Sequence, residues 1–520
     1  MARCKAVGAF AAAALLVPGL ARADILVLRD GRLFDGVDLE RTADGFVVHY
    51  ENGDVAVPAA RVLDALIEDQ PTWTPATDEE REKAEKGLVP FEGRWISPPR
   101  RAELIQERIA EKRRQIEDIQ AHREWRNRHE KKTSHFEFEY TVPEHLFSPL
   151  GDRMEAYFTA FAKDWKVRQP RELGRLKVCF YNDRKSFERT SGAGSGVLGY
   201  FRFVEPLELN FFFDRLDRPL TEEVMYHETN HYLQKLIDPS FSMPHFPGES
   251  LAEYYGASDY DPETKKFSTG LILDGRLTEV KRDVMAGDMM GLAKLVSTDG
   301  MYEHYNWGWT LVHFLMNHAK YGKKFQKFVL DLPSAKDVRR ELIGLGNLRS
   351  VSSEEIWRVF QDRLGLQSAE DVVALEKEWH TYVEEKLDFV TARGLEEAAV
   401  SASRAGMPIK AKRLFEEAIE AGTENPMTYH RFGKLLEADG DHARAVEMWE
   451  KAIAIDSMEA EFHLSLGRAQ VLHGDREEGR RRVRLAIEID EEVASWDFDP
   501  ELLGEDEDDG GGDGDGGEDG

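Results

Sequence analysis

The pentapeptide HETNH at residues 227–231 constrains this chain more than any other stretch. Two histidines four residues apart project from the same face of a helix, so His227 and His231 can reach a single metal ion. Glu228 lies beside them, where a carboxylate can take a proton from an attacking water molecule. The pattern therefore predicts a metal-dependent hydrolytic site on a helix.

The sequence around the pentapeptide agrees with this prediction. Residues 221–237 read as a helix, because Thr221 is a suitable N-cap and Pro239 follows its end. Just upstream, the β-prone run LELNFFF at 207–213 predicts a strand. We expect this strand to lie at the edge of a sheet, where it could pair with an extended peptide.

A catalytic zinc ion takes three protein ligands and keeps a fourth position open. The metzincin arrangement of the third ligand is excluded, because Gln234 and Ile237 stand where that class has glycine and histidine. We assign Glu249, on a second predicted helix, as the third ligand, and Glu253, one turn further on, as the carboxylate that orients a ligating histidine. His245, in a loop between prolines, is the competing third ligand.

HETNH followed by PGESLAEYYG resembles the gluzincin peptidases, whose third ligand is a glutamate in a downstream helix. The order of LKVCFYNDRKSFER, GVLGYFRF, the HETNH helix and YNWGWTLVHFL is similar to the bacterial peptidase MA-like proteins of unknown function. The resemblance covers about residues 131–389 and implies a thermolysin-like α+β peptidase domain at 131–390. It implies Zn²⁺ held by His227, His231 and Glu249, with Glu228 as general base.

The resemblance extends to one further residue. In the aminopeptidase branch, a tyrosine in a Y-x-x-G segment donates a hydrogen bond to the oxyanion, and Tyr305 in YNWG matches that pattern. His304 is the alternative donor. The same segment also fits an ordinary aromatic core helix, so the role of Tyr305 stays open at this point.

The chain begins with the features of an export signal. Residues 1–23 combine Arg3 and Lys5 with a short apolar stretch and end in Ala21-Arg22-Ala23, which predicts a signal peptide and an exported, soluble product, periplasmic or extracellular. No later stretch approaches the roughly 18 apolar residues of a membrane span. The formal net charge of −29 argues against partners that are nucleic acids or anionic membranes.

The region before the peptidase-like segment contains two kinds of pattern. Residues 24–69 carry short β-prone runs separated by Asp-Gly and Asn-Gly turns, which predict a small SH3-like β-barrel. Residues 70–130 predict a polar linker and a charged helix with a narrow apolar seam. Such a seam fits a helical hairpin, a coiled-coil contact or a spacer, and we favour the spacer because Lys112 interrupts it.

The C-terminal region has a period of 34 residues, which is visible in Gly406, Gly440 and Gly474. This period at 391–492 resembles the tetratricopeptide repeat, an all-α solenoid of helix pairs. The repeats would either offer a groove to a protein partner or cap the preceding domain. Residues 493–520, rich in glycine and acids, predict an acidic disordered tail.

Together these features predict an α+β multidomain chain with two alternative functions. In the first, the chain is an exported zinc-dependent metallopeptidase that cleaves a protein or peptide substrate, and its repeats dock protein partners. In the second, the peptidase-like domain is a non-catalytic part of a scaffold, and the tetratricopeptide repeats carry the function by binding partner proteins.

Overall fold

A computed structural model describes residues 24–68, 74–298, 303–344, 347–387, 391–491 and 493. The predicted signal peptide at 1–23, part of the predicted linker at 69–73 and the acidic tail beyond 493 lie outside the described residues. The described part is a mixed α+β structure that divides into two compact units between Ile116 and Glu117.

Five antiparallel strands make up the sheet of the first unit, in the order β4-β3-β2-β1-β5. The predicted Asp-Gly turn between the first two strands is present, with Gly31 at φ 91°, a conformation that glycine adopts without strain. The strands are β1 (Asp24–Leu28), β2 (Leu33–Arg41), β3 (Gly45–Tyr50), β4 (Gly53–Pro58) and β5 (Val62–Leu66).

The charged helix does not behave as a spacer. After α1 (Asp78–Glu85) and the hairpin of β6 (Val89–Phe91) and β7 (Arg94–Ile96), α2 (Pro98–His122) buries its seam against β1. Buried side chains from both elements form one cluster: Ile25, Val27, Ile105, Ile109 and Ile116. Lys112 does not break the seam, because its Nζ lies 3.4 Å from Asp64 Oδ2.

A second five-stranded sheet, in the order β11-β12-β10-β9-β8, organises the second unit. Its three central strands run parallel, and the two outer strands are antiparallel to their neighbours. The elements of this layer are β8 (His129–Lys132), β9 (Phe136–Tyr140), α3 (Glu144–Trp165), β10 (Leu176–Tyr181), α4 (Arg184–Ser191), β11 (Gly199–Arg202) and β12 (Glu208–Phe212).

The strand predicted at 207–213 is present as β12, but the prediction that it lies at an edge is wrong. β12 lies between β10 and β11, and the short β11 forms the edge. The physical reason is burial: Leu209 and Phe211 are fully buried, and Asn210 accepts a hydrogen bond of 3.0 Å from the Tyr181 hydroxyl. A strand that is buried on both faces belongs inside a sheet.

The histidine-bearing helix α5 (Arg218–Gln234) begins three residues earlier than predicted. Its N-cap is Asp217, whose side chain accepts a hydrogen bond of 3.1 Å from the backbone N–H of Leu220. Thr221, the predicted N-cap, lies within the first turn and accepts a hydrogen bond from the backbone N–H of Asp214. The acidic N-cap and Pro219 in the first turn explain the earlier start.

Mainly helical structure follows α5, as the sequence predicts. Trp379 is fully buried there, and its Nε1 donates a 3.1 Å hydrogen bond to Thr310 Oγ1. The elements are α6 (His245–Gly256), β13 (Asp259–Asp261), β14 (Lys266–Ser268), α7 (Asp274–Ala286), α8 (Leu292–Ser297), a π-helical turn (His304–Gly308), α9 (Trp309–Asn317), α10 (Gly322–Ser334), β15 (Glu341–Leu342), β16 (Arg349–Ser350), α11 (Ser353–Leu364) and α12 (Ala369–Glu385).

The 34-residue period corresponds to consecutive helix pairs joined by short turns. Small residues recur where the helices cross: a Cβ on Gly433 would lie 2.6 Å from Trp449 Nε1, and Ala418, Ala452 and Ala486 are fully buried. The helices are α13 (Ala392–Arg404), α14 (Pro408–Glu420), α15 (Pro426–Ala438), α16 (His442–Ile455), α17 (Ala460–His473) and α18 (Arg476–Ile489).

The sequence also predicts that no stretch after the signal peptide spans a membrane. Among the residues that the structure describes, no helix is both long enough and apolar enough to cross a lipid bilayer.

Candidate metal centre

Helices α5 and α6 bring three predicted ligands together. His227 and His231 lie one turn apart on α5, and their Nε2 atoms are 3.3 Å from each other. Glu249 on α6 places Oε2 at 3.4 Å from each of these nitrogens. The three atoms therefore form a nearly equilateral triangle, and each of the three side chains is partly buried.

This triangle fits one face of a tetrahedral zinc site. Ligand bonds of about 2.0 to 2.1 Å at tetrahedral angles require ligand atoms about 3.3 to 3.4 Å apart. The imidazole planes of His227 and His231 meet at 79°, so their nitrogens can converge on one point. Glu249 Oε2 is buried and accepts no hydrogen bond within the described structure. A buried carboxylate oxygen that accepts no hydrogen bond and faces two imidazole nitrogens fits the ligand set of a cation.

The electrostatics of the cluster also favour a cation. Burial by itself would raise the pKa of the Glu249 carboxyl, but the facing histidines outweigh burial and hold that pKa far below its usual range. Burial would lower the pKa of His227, but the carboxylates of Glu249, Glu253 and Glu228 outweigh it and raise that pKa well above its usual value. The carboxylates that surround His227 thus stabilise positive charge at the ligand triangle.

Glu253 contacts Nδ1 of His227, the ring nitrogen that is not part of the ligand triangle. It follows Glu249 by one turn on α6, is buried, and places Oε1 at 3.4 Å from Nδ1 of His227. Arg276 on α7 donates two hydrogen bonds to the same carboxylate, Nε to Oε2 at 3.0 Å and Nη2 to Oε1 at 2.8 Å. The carboxylate is thereby fixed in the position where it can orient the imidazole of His227.

The side chain of Glu228 points toward the sheet edge. Its Oε2 accepts a hydrogen bond of 2.9 Å from the backbone N–H of Phe201 in β11. Because β11 pairs with β12 on its other side, this N–H belongs to the outer edge of the strand. The contact holds the predicted general base against the last strand of this sheet.

Tyr305 lies against the cluster, in the π-helical turn that precedes α9. Its ring is 6.0 Å from the His227 ring at an angle of 23°, and the Arg276 guanidinium carbon lies 5.2 Å from the centre of the Tyr305 ring. Burial raises the pKa of its phenol, and the charges of Glu249, Glu253 and Glu228 raise it further. Tyr305 therefore keeps its proton and remains a hydrogen-bond donor.

The two alternative histidines are elsewhere. His304 is buried, and its Nε2 donates a 2.7 Å hydrogen bond to the carbonyl of Leu295. His245 is exposed at the start of α6, with its ring 5.7 Å from the His304 ring. Neither belongs to the ligand triangle.

Two other groups of three potential ligands occur among the described residues, and neither has this geometry. In the first, Asp118, His122 and His129, the two imidazoles are stacked at 3.9 Å. In the second, Glu437, His442 and His473, the imidazoles are stacked at 3.6 Å and 16°. Nearly parallel, stacked imidazoles cannot direct both lone pairs at one ion, because each lone pair lies in its own ring plane.

Sequence reasoning missed several residues around this site. The pairing of Arg276 with Glu253 and the contact of Phe201 with Glu228 join elements that are distant in the chain, so no local pattern marks them. Arg276 and Arg282 both form ion pairs, Arg276 with Glu253 at 2.8 Å and Arg282 with Glu417 at 3.1 Å.

Comparisons with known proteins do not identify the site. No protein-family model and no curated protein matches the chain. Among solved structures, a crystal structure of MamA is 20% identical, covers 27% of this chain and 77% of its own, and has a TM-score of 0.20. A second crystal structure of MamA protein is 17% identical, covers 36% of this chain and 97% of its own, and has a TM-score of 0.20. A likeness at this TM-score supports no statement about function.

Proposed function

We propose that this protein is an exported zinc-dependent metallopeptidase of the gluzincin class. The observation that carries the proposal is the triangle of His227 Nε2, His231 Nε2 and Glu249 Oε2, with edges of 3.3, 3.4 and 3.4 Å. Glu228 lies directly beside it on the same helix. Export rests on the predicted signal peptide at 1–23.

The finer domain assignments belong to the same proposal. The sheet of β1–β5 is the SH3-like module, the unit around the β8–β12 sheet is the thermolysin-like peptidase domain, and α13–α18 are the tetratricopeptide repeats. The paired helices, the 34-residue period and the buried small residues at the helix crossings support the last assignment.

His227, His231 and Glu249 would hold the zinc ion, and the chemistry that zinc supplies when bound is Lewis acidity toward water and the scissile carbonyl. Glu228 takes the proton of the attacking water and returns it to the leaving amine. Its hydrogen bond from the Phe201 N–H fixes the carboxylate for this transfer.

Two further side chains complete the proposed mechanism. Glu253, held by Arg276, orients His227 through its Nδ1. Tyr305 donates a hydrogen bond from its hydroxyl group to the oxyanion that develops on the scissile carbonyl, an interaction that is strongest in the transition state.

The strand that binds the extended peptide in this proposal is β11 rather than β12. The strand ends the sheet beside Glu228, and an extended segment would pair with outward backbone groups of β11 other than the Phe201 N–H, which donates to Glu228. Pairing along a strand edge recognises backbone groups and leaves the side-chain preference to neighbouring pockets.

A chelation experiment tests the proposal. The zinc-loaded mature chain is incubated with a fluorogenic peptide library, then with a chelator, and then with zinc again. We expect cleavage that the chelator abolishes and zinc restores. Cleavage that survives complete metal removal would contradict the mechanism.

Tyr305→Phe removes only the proposed oxyanion donor. We expect kcat to fall about 10²- to 10³-fold, the usual loss for one such donor, with zinc content unchanged. Steady-state kinetics on the best library peptide, with elemental analysis of both proteins, measures this. An unchanged kcat would assign Tyr305 to packing against His227 alone.

The non-catalytic scaffold is the alternative, and the repeat helices α13–α18 are the observation that favours it. Under this alternative, protein partners bind the repeats, and the metal site serves the fold. A parent protein that binds zinc but cleaves no peptide in the library would favour the scaffold.

A further inference from the structure

The repeats contact the metal-bearing domain through charged and polar residues at equivalent positions of the 34-residue period. Thr391, Asn425 and Glu459 are the N-cap residues of α13, α15 and α17, spaced by one period each. Thr391 Oγ1 donates a 2.6 Å hydrogen bond to Asp274 of α7, and Glu459 pairs with Arg215. The first and third of these N-caps therefore contact the peptidase-like domain of the same chain, and the side of the repeats that carries them is here called the inner face.

Arg393, two residues after the first of these N-caps, makes the most concentrated contact. Each of its three guanidinium nitrogens meets a different carboxylate: Nη2 lies 2.8 Å from Glu223, Nε lies 3.0 Å from Glu397, and Nη1 lies 3.6 Å from Asp217. Glu397 is one turn further along α13, whereas Glu223 and Asp217 belong to the metal-bearing helix.

The two partners on α5 occupy positions that matter for the metal ligands. Asp217 is the N-cap residue of α5, and Glu223 lies one turn before His227 on the same face. Arg393 therefore holds the beginning of the helix whose next turns carry both histidine ligands.

The segment that leads into α5 is held at a second point. Arg215 pairs with Glu459, with 3.1 Å between Nη2 and Oε1, and only 3% of the Glu459 side chain is exposed. Asp217 also feels the charge of Arg431 on α15, which stands one 34-residue period after Glu397. The first and third helix pairs thus contact residues 215–217, through Arg393 and Glu459.

A parallel connection runs through α7. A Cβ on Gly394 would lie 2.6 Å from the carbonyl oxygen of Asp274, so α13 approaches α7 as closely as glycine allows. Arg276, which fixes Glu253 behind His227, lies on this first turn of α7. The repeats therefore support the metal site from two sides.

Charge balance makes Arg393 hard to replace. It faces three carboxylates, and burial raises the pKa of Glu223 to about 7 although Arg393 opposes the rise. Without the guanidinium, the carboxylates would repel one another in a largely enclosed space. Lysine would keep the charge but could not bridge three acceptors with a planar fork.

We propose that the inner face of the repeats is an intramolecular clamp on the metal-bearing helix, and that Arg393 is a positioning residue for the zinc site. The repeats then serve the site of their own chain along this face, beyond any role in docking partners. For its zinc readout this inference rests on the proposed metal site.

The test compares Arg393→Met with Arg393→Lys and with the matched control Arg481→Met. Arg481 pairs with Glu478, which lies three residues earlier on the same helix, at 2.7 Å. Zinc affinity is measured by competition with a chromogenic chelator, using zinc alone as the probe. We expect Arg393→Met to weaken zinc binding on the order of tenfold, the low end for loss of an outer support, with Arg393→Lys intermediate and Arg481→Met unchanged.

Each result of this comparison either supports or overturns the proposed clamp. Equal zinc affinity in Arg393→Met and Arg481→Met would overturn the clamp. If Arg393→Met does not fold, Arg393→Lys carries the test, and an affinity equal to that of the parent overturns it. If the parent takes up no zinc, the proposed function fails and amide hydrogen exchange in α5 decides: faster exchange in the Arg393 variants than in Arg481→Met supports the clamp, and equal exchange overturns it.

Discussion

Glu228→Gln will retain zinc and lose peptide hydrolysis, with kcat lower by about 10²- to 10⁴-fold, the range for removal of a general base. Glutamine keeps the shape of glutamate, and its carbonyl oxygen can still accept the hydrogen bond that the Phe201 N–H donates to Glu228. The variant should therefore fold and bind metal like the parent, so that the loss reports proton transfer alone.

The matched control for this variant is Glu222→Gln, which lies on the same helix α5 as Glu228. Glu222 pairs with Arg218 at 3.1 Å and with Arg153 at 3.4 Å and contacts none of the metal ligands. Its substitution removes the same charge from α5 and should leave kcat unchanged. Hydrolysis at the parent rate in Glu228→Gln would contradict the assigned mechanism.

Glu249→Ala is expected to abolish stoichiometric zinc binding. It removes one vertex of the ligand triangle and leaves His227 and His231 as a two-ligand site, which falls below the three protein ligands of catalytic zinc. The affinity should fall by more than the roughly 10- to 100-fold that loss of an outer support costs. Titration with zinc against a chromogenic chelator measures the affinity.

Glu263→Ala is the control for this second variant, because Glu263 is an exposed glutamate in the loop between β13 and β14. Both variants lose one negative charge, so a general electrostatic effect on zinc uptake would appear equally in both. If Glu249→Ala binds zinc as tightly as Glu263→Ala, Glu249 is not the third zinc ligand.

Local spacing explains which parts of the site were open to prediction. A four-residue step on a helix places side chains on one face, so the pairs His227 with His231 and Glu249 with Glu253 follow from the sequence. Local spacing does not predict the convergence of the two helices; the need of zinc for a third protein ligand leads to Glu249, and the resemblance to gluzincins agrees with that assignment. The 34-residue period likewise marked the paired helices of the C-terminal region.

Other features depend on long-range pairing, which no local pattern encodes. The order of strands decided that β11 rather than β12 forms the edge, although β12 has the stronger β-prone sequence. The sequence favours a spacer role for α2, because Lys112 interrupts the apolar seam of this helix. In the structure, the ion pair of Lys112 with Asp64 accommodates the lysine beside the buried seam. Arg276 and Arg393 find their partners on distant elements for the same reason.

Zinc content of the purified mature chain, measured by elemental mass spectrometry, tests the central claim most directly. The account predicts about one zinc ion per chain, because the residues that the structure describes include one triangle of ligand atoms with tetrahedral edges. A chain that contains no zinc and takes up none on titration would contradict the account and leave the scaffold as the better description.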